Sequence, residues 1–232
     1  MKTLRTSACV LLATAFSASS LINPVQADEL GGTGVEVAAS VGVANMYLWR
    51  GMDVGNGDPA VFGDITASYG GAYASVWASS GDASAGQEYD VILGYGAEFG
   101  KFFFDIAAVS YVFPRYSSPD VPGQRNDFGD WVEAILTLGY GPVSVSYFDT
   151  IEAADNGYSY GKDYSYFSTS ASFGPVGILI GRHDMDDESP VHLDLSYAYS
   201  DRLSFTISKF VADKDNIEHD ANFVVSYTLP ID

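Results

Sequence analysis

The stretch EYDVILGYGAEF, residues 88–99, decides the fold class. Apolar and aromatic side chains occupy every second position from Tyr89, and acidic residues or glycines fill most of the positions between them. Alternation with a period of two is typical of a β-strand that has one apolar face and one polar face. Gly100-Lys101 follows, and another apolar run begins directly after it. The stretch therefore predicts a strand that enters the next strand through a tight turn.

The same alternation recurs on both sides of this stretch, in runs of roughly nine to eleven residues, a length that suits a tilted membrane-crossing strand. Amphipathic helical spacing is hard to find along the chain. We predict twelve strands, at about residues 35–49, 60–69, 72–79, 88–99, 102–113, 131–140, 143–149, 164–173, 176–183, 192–199, 203–210 and 222–231.

The links between these strands alternate between short and long without exception. The short links are 70–71, 100–101, 141–142, 174–175 and 201–202. The long, polar links are 50–59, 80–87, 114–130, 150–163, 184–191 and 211–221. Such connectivity is typical of outer-membrane barrels, with short periplasmic turns and longer extracellular loops. We predict an all-β fold: a single antiparallel up-and-down transmembrane β-barrel of about 12 strands.

A soluble β-barrel or sandwich is the alternative, because it also shows alternation and glycine-rich turns. Two features favour the membrane barrel. The polar partners along the strands are mostly small, which is typical of a water-filled lumen. Aromatic residues also recur near the short turns on the apolar face, as in an interfacial girdle; they are Tyr69, Phe99, Tyr140, Phe173, Tyr197 and Tyr227.

The first 27 residues have the pattern of a secretory signal peptide. Lys2 and Arg5 give a basic start, residues 8–22 are apolar and uncharged, and Ala27 precedes an acidic pair. A membrane-anchor helix is the less favoured alternative. We expect cleavage after Ala27, a barrel domain at residues 28–232 and localisation in the bacterial outer membrane.

Charge and cysteine content exclude several classes of function. The chain of 232 residues carries 30 acidic residues against 11 Lys and Arg, a net charge of -19. Losing Lys2 and Arg5 would leave 9 basic residues, for a charge of -21. Nucleic-acid binding needs clustered basic residues and is not expected. The single Cys, Cys9, excludes a disulfide framework and a cysteine zinc site.

The acidic residues within strands share one parity, which predicts that acids line the lumen and are almost absent from the outer face. They are Glu36, Asp64, Asp90, Glu98, Asp105, Glu133 and Asp194. No Lys or Arg is expected in the middle of a strand. A lumen with acids and no central base attracts cations and repels anions.

Arg50 is the candidate constriction residue, because it continues the inward parity at the outer end of the first strand. We expect the pore lining to consist of Arg50, Asp64, Asp90, Glu133 and Asp194. The alternative is a strand-end arginine that caps the turn at Gly51 or pairs with a loop acid. We also expect inward aromatic residues to fill part of the lumen, namely Phe62, Tyr73 and Trp77.

Two acidic segments with histidines are candidates for a metal or protease site: His183, Asp184, Asp186, Asp187, Glu188 and His192, and Asp213, Asp215, Glu218, His219 and Asp220. Oxygen ligands in a loop suit Ca²⁺. The spacing matches no ligand loop, however, so solvated acidic loops are favoured. A Ser-His-acid hydrolase needs a nucleophile turn, which no serine here occupies. We expect no catalytic residue, no metal ligand and no cofactor.

Several segments together resemble the TorF-type porins of bacteria, also described as the Gcw_chp family. They are YLWRGM at 47–52, PAVFG at 59–63, GAYASVWAS at 71–79, YDVILGY at 89–95 and YVFP at 111–114. The resemblance covers most of the mature chain and is densest over residues 40–115. It implies an exported outer-membrane barrel of porin type with no established substrate.

We therefore expect a passive outer-membrane porin, a channel for small polar, cationic or neutral solutes through an acidic lumen. The alternatives are a closed structural or adhesive barrel with acidic loops and, less favoured, an outer-membrane hydrolase. The expected partners are outer-membrane lipids and lipopolysaccharide, the outer-membrane assembly machinery and small polar solutes.

Overall fold

The computed structural model describes residues 28–29, 34–81, 86–114, 125–154, 160–185, 188–212 and 220–231. Within these residues the chain forms strands and no helix. The strands are β1 (Asp28–Glu29), β2 (Glu36–Ala44), β3 (Leu48–Trp49), β4 (Met52–Asp53), β5 (Ala60–Tyr69), β6 (Ala72–Ser79), β7 (Glu88–Phe99), β8 (Phe102–Val112), β9 (Trp131–Tyr140), β10 (Val143–Ala153), β11 (Ser165–Phe173), β12 (Val176–Asp184), β13 (Val191–Ala198), β14 (Leu203–Ala212) and β15 (Asn222–Ile231).

Twelve of the described strands, β2 and β5–β15, form a closed antiparallel barrel. Each strand from β5 onward pairs with the next one in the chain, and β15 returns to pair with β2. The pairing of β2 with β5 completes the closure. Closure removes every free sheet edge, which a bilayer requires. The predicted fold class is therefore confirmed.

The strand bounds follow the periodicity closely. Five strands begin and end at the predicted residues, and most others differ by one or two. The first strand is an exception because it ends at Ala44, not at residue 49. The strand β10 is another, because a bulge between Thr150 and Glu152 lets it continue to Ala153. Adjacent glycines form the first short turn, where Gly70 and Gly71 both adopt positive φ, 58° and 92°, as a type I′ hairpin turn needs.

The two faces of the barrel wall have opposite character. The outward positions carry exposed apolar side chains, and all six predicted girdle aromatics are exposed, between 40% and 65%. The inward positions carry small polar residues and the acids of β2, β5, β7, β8, β9 and β13. The predicted sidedness holds for all seven acids. The exceptions on the outer face lie toward the long links; they are Asp149, Glu152, Arg182, Asp184 and Lys209.

The largest buried cluster lies inside the barrel at the long-link end. It joins Tyr47 and Trp49 to inward side chains of β6–β11. No helix in the described part of the chain is long and apolar enough to cross a bilayer. The predicted signal peptide, residues 1–27, lies outside the described residues and remains a prediction.

Candidate functional site in the barrel lumen

The first long link, residues 45–59, folds into the lumen as a short hairpin of β3 and β4, here called the lumen hairpin. Val54 N–H donates to the Tyr47 carbonyl at 2.9 Å, and Arg50 and Gly51 form the tip, with φ of 48° and 86°. Residues 47–50 are all buried. The partners of residues 47–51 are inward side chains on β6, β7 and β9–β13, so the hairpin crosses the lumen at its long-link end.

The lumen hairpin corrects the prediction that strand one continues to residue 49 with Arg50 at its end. Asn45 ends the strand: its side chain donates to the Phe223 carbonyl at 2.9 Å and accepts from Val225 N–H at 2.6 Å. These bonds replace ladder bonds with β15 and free the chain to turn inward. Arg50 faces the lumen as predicted, but from the hairpin tip.

Arg50 forms a bidentate ion pair with Glu133 on β9, with N–O distances of 3.0 and 2.6 Å. The same guanidinium donates to the Tyr164 hydroxyl at 3.0 Å, and Tyr111 donates to Glu133 at 2.7 Å. Burial disfavours the charged guanidinium, but the Glu133 carboxylate together with the hydroxyls of Tyr164 and Tyr111 outweighs this effect and raises the pKa of Arg50 above its ordinary value. Arg50 therefore stays charged inside the barrel.

Aromatic rings surround the guanidinium on its remaining sides. The Arg50 Cζ atom lies 4.5 Å from the Trp49 ring centroid, 4.4 Å from that of Phe148 and 4.7 Å from that of Tyr166. Cation–π contacts of this kind contribute more when water is excluded. The Arg50 guanidinium thus holds the hairpin tip in place through its contacts with Glu133, Tyr164 and the surrounding rings.

Two buried histidines hold the backbone of the tip. His183 Nε2 lies 2.8 Å from the Arg50 carbonyl, which can only accept, so the ring donates from Nε2 and its Nδ1 accepts from the Tyr164 hydroxyl at 3.0 Å. Burial raises the pKa of the Tyr164 phenol, which keeps this donor protonated. His192 packs against Gly51, where an added Cβ would lie 2.6 Å from the ring.

His192 links a third predicted residue to the tip. Its Nδ1 lies 2.9 Å from Asp194 Oδ1, and its Nε2 lies 2.9 Å from the Tyr166 hydroxyl. Asp194 thus reaches the lumen hairpin through the imidazole ring. The site consequently brings together Arg50 and Glu133 directly, and Asp194 indirectly.

The other two predicted pore residues do not contact Arg50 in the described structure. Asp90 is buried on β7 beside Glu88, and its Oδ1 has no hydrogen-bond partner. Glu88 itself accepts a 2.5 Å hydrogen bond from the Tyr47 hydroxyl of the lumen hairpin. Asp64 lies half-buried on β5 and accepts a hydrogen bond from Ser40. A pore-lining role for these residues remains a prediction.

Below the lumen hairpin, toward the short turns, hydroxyl groups line the wall. Cross-strand pairs at 2.8 Å join Thr66 to Ser75, Thr137 to Ser146, and Ser144 to Ser170. Asp105 belongs to this half and accepts from the Tyr73 hydroxyl at 3.0 Å.

Three inward aromatic rings along the wall lie against glycines of the neighbouring strand. Phe62 packs on Gly42, Tyr73 on Gly94, and Phe103 on Gly139, each in space that a Cβ would occupy. Of the aromatics expected to fill the lumen, Phe62 and Tyr73 thus lie against the wall. Trp77 packs against Tyr47 of the lumen hairpin, with ring centroids 5.9 Å apart.

The histidines considered for a hydrolase or metal site lie inside the barrel. His183 is hydrogen-bonded to a tyrosine hydroxyl and a backbone carbonyl, and His192 to a tyrosine hydroxyl and Asp194, as described above. Both rings are fully buried. Among the described residues, no three His, Cys, Asp or Glu side chains lie close enough to hold a metal ion. Asp184 is exposed at the end of β12. Asp186, Asp187 and residues 213–219 lie outside the described residues.

Residues missed by the sequence analysis complete the site: Tyr47, Glu88, Tyr111, Trp131, Tyr164 and Tyr166. Glu88 shares the inward parity of Asp90, a signal that could have identified it. Tyr164 and Tyr166 carry no such signal, because their partner Arg50 is far away in the sequence.

Comparisons with known proteins agree with the barrel. Residues 28–219 match the family model described as "Bacterial protein of unknown function (Gcw_chp)". No curated protein matches the chain. Outer membrane phospholipase A from Escherichia coli has 11% identity and a TM-score of 0.50, over 92% of this chain and 98% of that one, which shows a similar fold.

Two other solved structures match with lower TM-scores. The Salmonella typhi outer membrane phospholipase has 9% identity and a TM-score of 0.47, over 88% of this chain and 94% of that one. A mutant porin of Rh. blastica has 16% identity and a TM-score of 0.40, over 84% of this chain and 74% of that one. The family match covers most of the sequence, and the chain therefore belongs to the Gcw_chp family of bacterial proteins of unknown function.

Proposed function

We propose that the protein is an outer-membrane channel for small polar solutes, cationic or neutral, and that the lumen hairpin closes it in the described state. The apolar outer face and the aromatic girdle support a place in a bilayer. The signal-peptide pattern and the barrel fold support the outer membrane, where the assembly machinery and lipids would be its partners.

The observation that carries the proposal is the contrast between the two halves of the lumen. The long-link half is filled by the lumen hairpin, whereas the short-turn half is lined by serine and threonine hydroxyls that are partly exposed, such as Ser144, Ser146 and Ser170. A twelve-stranded barrel is wider than the roughly eight strands that side chains alone can fill. One folded-in segment thus separates a polar lumen from the outside.

Charge supports the preference for cations. Six acids on the strand walls face the lumen as buried or half-buried side chains; they are Glu36, Asp64, Glu88, Asp90, Asp105 and Asp194. Another inward acid, Glu133, neutralises Arg50. A narrow, low-dielectric passage amplifies such an excess of one sign and admits cations in preference to anions.

Conductance in a planar lipid bilayer tests the proposal. The wild-type protein should conduct rarely, and Arg50→Ala should conduct more often or in larger steps, because it removes the charge that anchors the hairpin tip. A reversal potential in a salt gradient should then favour cations.

A second variant is needed because packing alone could keep the hairpin in place after Arg50→Ala. Residues 46–58 are replaced by a short Gly-Ser link, and heat-modifiable migration on a gel confirms that the barrel has folded. If this variant and Arg50→Ala are both silent while folded, the channel proposal is wrong and the closed structural barrel stands. A channel that conducts but selects for anions would contradict only the proposed class of solute, and not the proposal that the protein is a channel.

A further inference from the structure

Two basic residues project from the outer face of the barrel toward its long-link end. Arg182 lies on β12 and Lys209 on β14, both at outward positions between buried inward neighbours. In the part of the chain that the structure describes, they are the only Lys or Arg within a barrel strand. Two basic residues on the lipid-facing side are unusual in a chain with a net charge of -19.

The two residues are neighbours across β13. Arg182 is opposite Val191, and Lys209 is opposite Leu193, two positions along the same strand. With strands about 4.8 Å apart and a rise of about 3.3 Å per residue, their Cα atoms lie about 12 Å apart. Long, flexible side chains at this spacing can approach one headgroup together. Arg182 is two residues and Lys209 three residues from the long-link ends of their strands.

Neither charge is satisfied by a close, buried partner among the described residues. The Arg182 guanidinium is 3.9 Å from Asp184, and both side chains are more than half exposed, so this pair contributes little. Arg182 also donates to the Ser189 hydroxyl at 3.0 Å. No described carboxylate lies within ion-pair distance of Lys209.

The surroundings of the pair are apolar. Ile180, Ile207 and Val211 share the outer face with Arg182 and Lys209, and each is about half exposed. A basic side chain on this face costs least near the interface and is favoured where an anion meets it. The surface thus combines cations at headgroup level with apolar contacts for acyl chains just below.

We propose that Arg182 and Lys209 form a binding site for the phosphorylated lipid A portion of lipopolysaccharide. This lipid joins phosphate groups to a bundle of acyl chains, which matches the two parts of the surface. The proposal rests on the outer-membrane orientation proposed above and not on channel activity, so a binding assay can fail while conductance succeeds.

The test measures lipopolysaccharide bound to the purified, folded barrel in detergent, by native mass spectrometry. EDTA is present so that divalent cations do not bridge phosphates to the acidic loops. Removing Arg182 or Lys209 should weaken binding about fivefold each, the usual effect of one basic residue at an anionic lipid surface. Asp184→Asn should strengthen binding, because it removes the competing carboxylate.

The matched control is the double variant Lys101→Ala and Arg202→Ala. It removes two exposed basic residues at the short turns, on the opposite rim, and should leave binding unchanged. Lipopolysaccharide stripped of its phosphates should bind the wild type as weakly as intact lipopolysaccharide binds Arg182→Ala/Lys209→Ala. The proposal is wrong if both double variants lose binding equally, or if the stripped lipid binds as well as intact lipopolysaccharide. It is also wrong if phosphatidylglycerol competes for the barrel as well as lipopolysaccharide does.

Discussion

Gly51, at the tip of the lumen hairpin, is the residue where a single methyl group has the clearest consequence. Its φ of 86° disfavours any L side chain, and a Cβ would lie 2.6 Å from the His192 ring. We expect Gly51→Ala to destabilise the folded protein by about 2–4 kcal/mol, the sum of the backbone strain and the overpacking. Denaturant unfolding in lipid vesicles measures the change.

Gly57 provides the control within the same segment. Its φ of 81° is nearly the same, but nothing lies within 4 Å of the added Cβ. Gly57→Ala should therefore cost only the backbone strain, about 1–2 kcal/mol, and should leave the tip in place. If the two alanine variants lose equal stability, the contact with His192 does not hold the hairpin.

Glu133 tests the buried ion pair at the same scale. Glu133→Gln keeps the shape of the side chain but leaves the Arg50 charge without compensation in a buried site. Breaking one partner of a buried pair costs about 3–5 kcal/mol. The free energy of unfolding should fall by this amount, and Arg50→Met in the same background should recover part of it.

An exposed ion pair elsewhere on the chain gives the comparison. Glu152 accepts from Lys162 at 3.0 Å, with both side chains about half exposed. Glu152→Gln should change stability by less than about 1 kcal/mol, because solvent screens such pairs. A loss as large as that of Glu133→Gln would show that the effect comes from the substitution and not from burial.

At the residue scale the sequence predicted that Arg50 and four acids line the lumen, without indicating which acid Arg50 meets. Parity limits a side chain to one face of a strand, and it does not say which residues meet across a barrel. Glu133 is 83 positions away from Arg50. Only closure of the barrel and the inward fold of residues 45–59 bring the two together.

At the element scale, periodicity predicted the barrel strands well, because each one has lipid on one side and a polar lumen on the other. Periodicity failed where the chain leaves the barrel wall and no longer lies between lipid and lumen. Tyr47, Leu48 and Trp49 look like a continuation of an apolar strand, but all three are buried against the barrel interior. A segment that is buried on every side has no alternation to reveal it.

The two faces of one strand pair should respond oppositely to a charge. Leu136 on β9 faces outward and is 44% exposed, while Ser146 on β10 faces the polar lumen one position away in the ladder. Leu136→Arg should destabilise the barrel by about 2–4 kcal/mol, as expected for a base near the bilayer midplane. Ser146→Arg should cost clearly less. Unfolding of both variants in vesicles measures the difference, and equal losses would contradict the assigned faces.

At the scale of the whole molecule, acidity and hydrophobicity coexist because they occupy different surfaces. Acids lie inside the barrel, while the outer wall is apolar between its aromatic rows. The acidic exceptions, Asp149, Glu152 and Asp184, lie toward the long links, where the wall meets the headgroups. The sequence predicted this sidedness from parity alone, since a charge in hydrocarbon is far more costly than one in water.

Charge sidedness also predicts which groups control ion selectivity. Asp105 faces the short-turn half of the lumen, and Asp64 faces the lumen near the middle of the wall, opposite Ser40 on β2. We expect Asp64→Asn/Asp105→Asn, made in the Arg50→Ala background, to lower the ratio of cation to anion permeability by about fivefold, which corresponds to ~1 kcal/mol of lost attraction. The reversal potential in a potassium chloride gradient measures this ratio.

The matched control removes the same charge from exposed positions at the two rims, with Asp127→Asn/Asp201→Asn in the same background. Salt screens exposed groups over about 8–10 Å, so this variant should keep the selectivity of its parent. Raising the salt concentration should therefore reduce the small effect of the rim acids first and that of Asp64 and Asp105 last. If the rim variant loses as much selectivity as the lumen variant, the acids act through the net charge of the molecule, and their position inside the barrel is irrelevant to conduction.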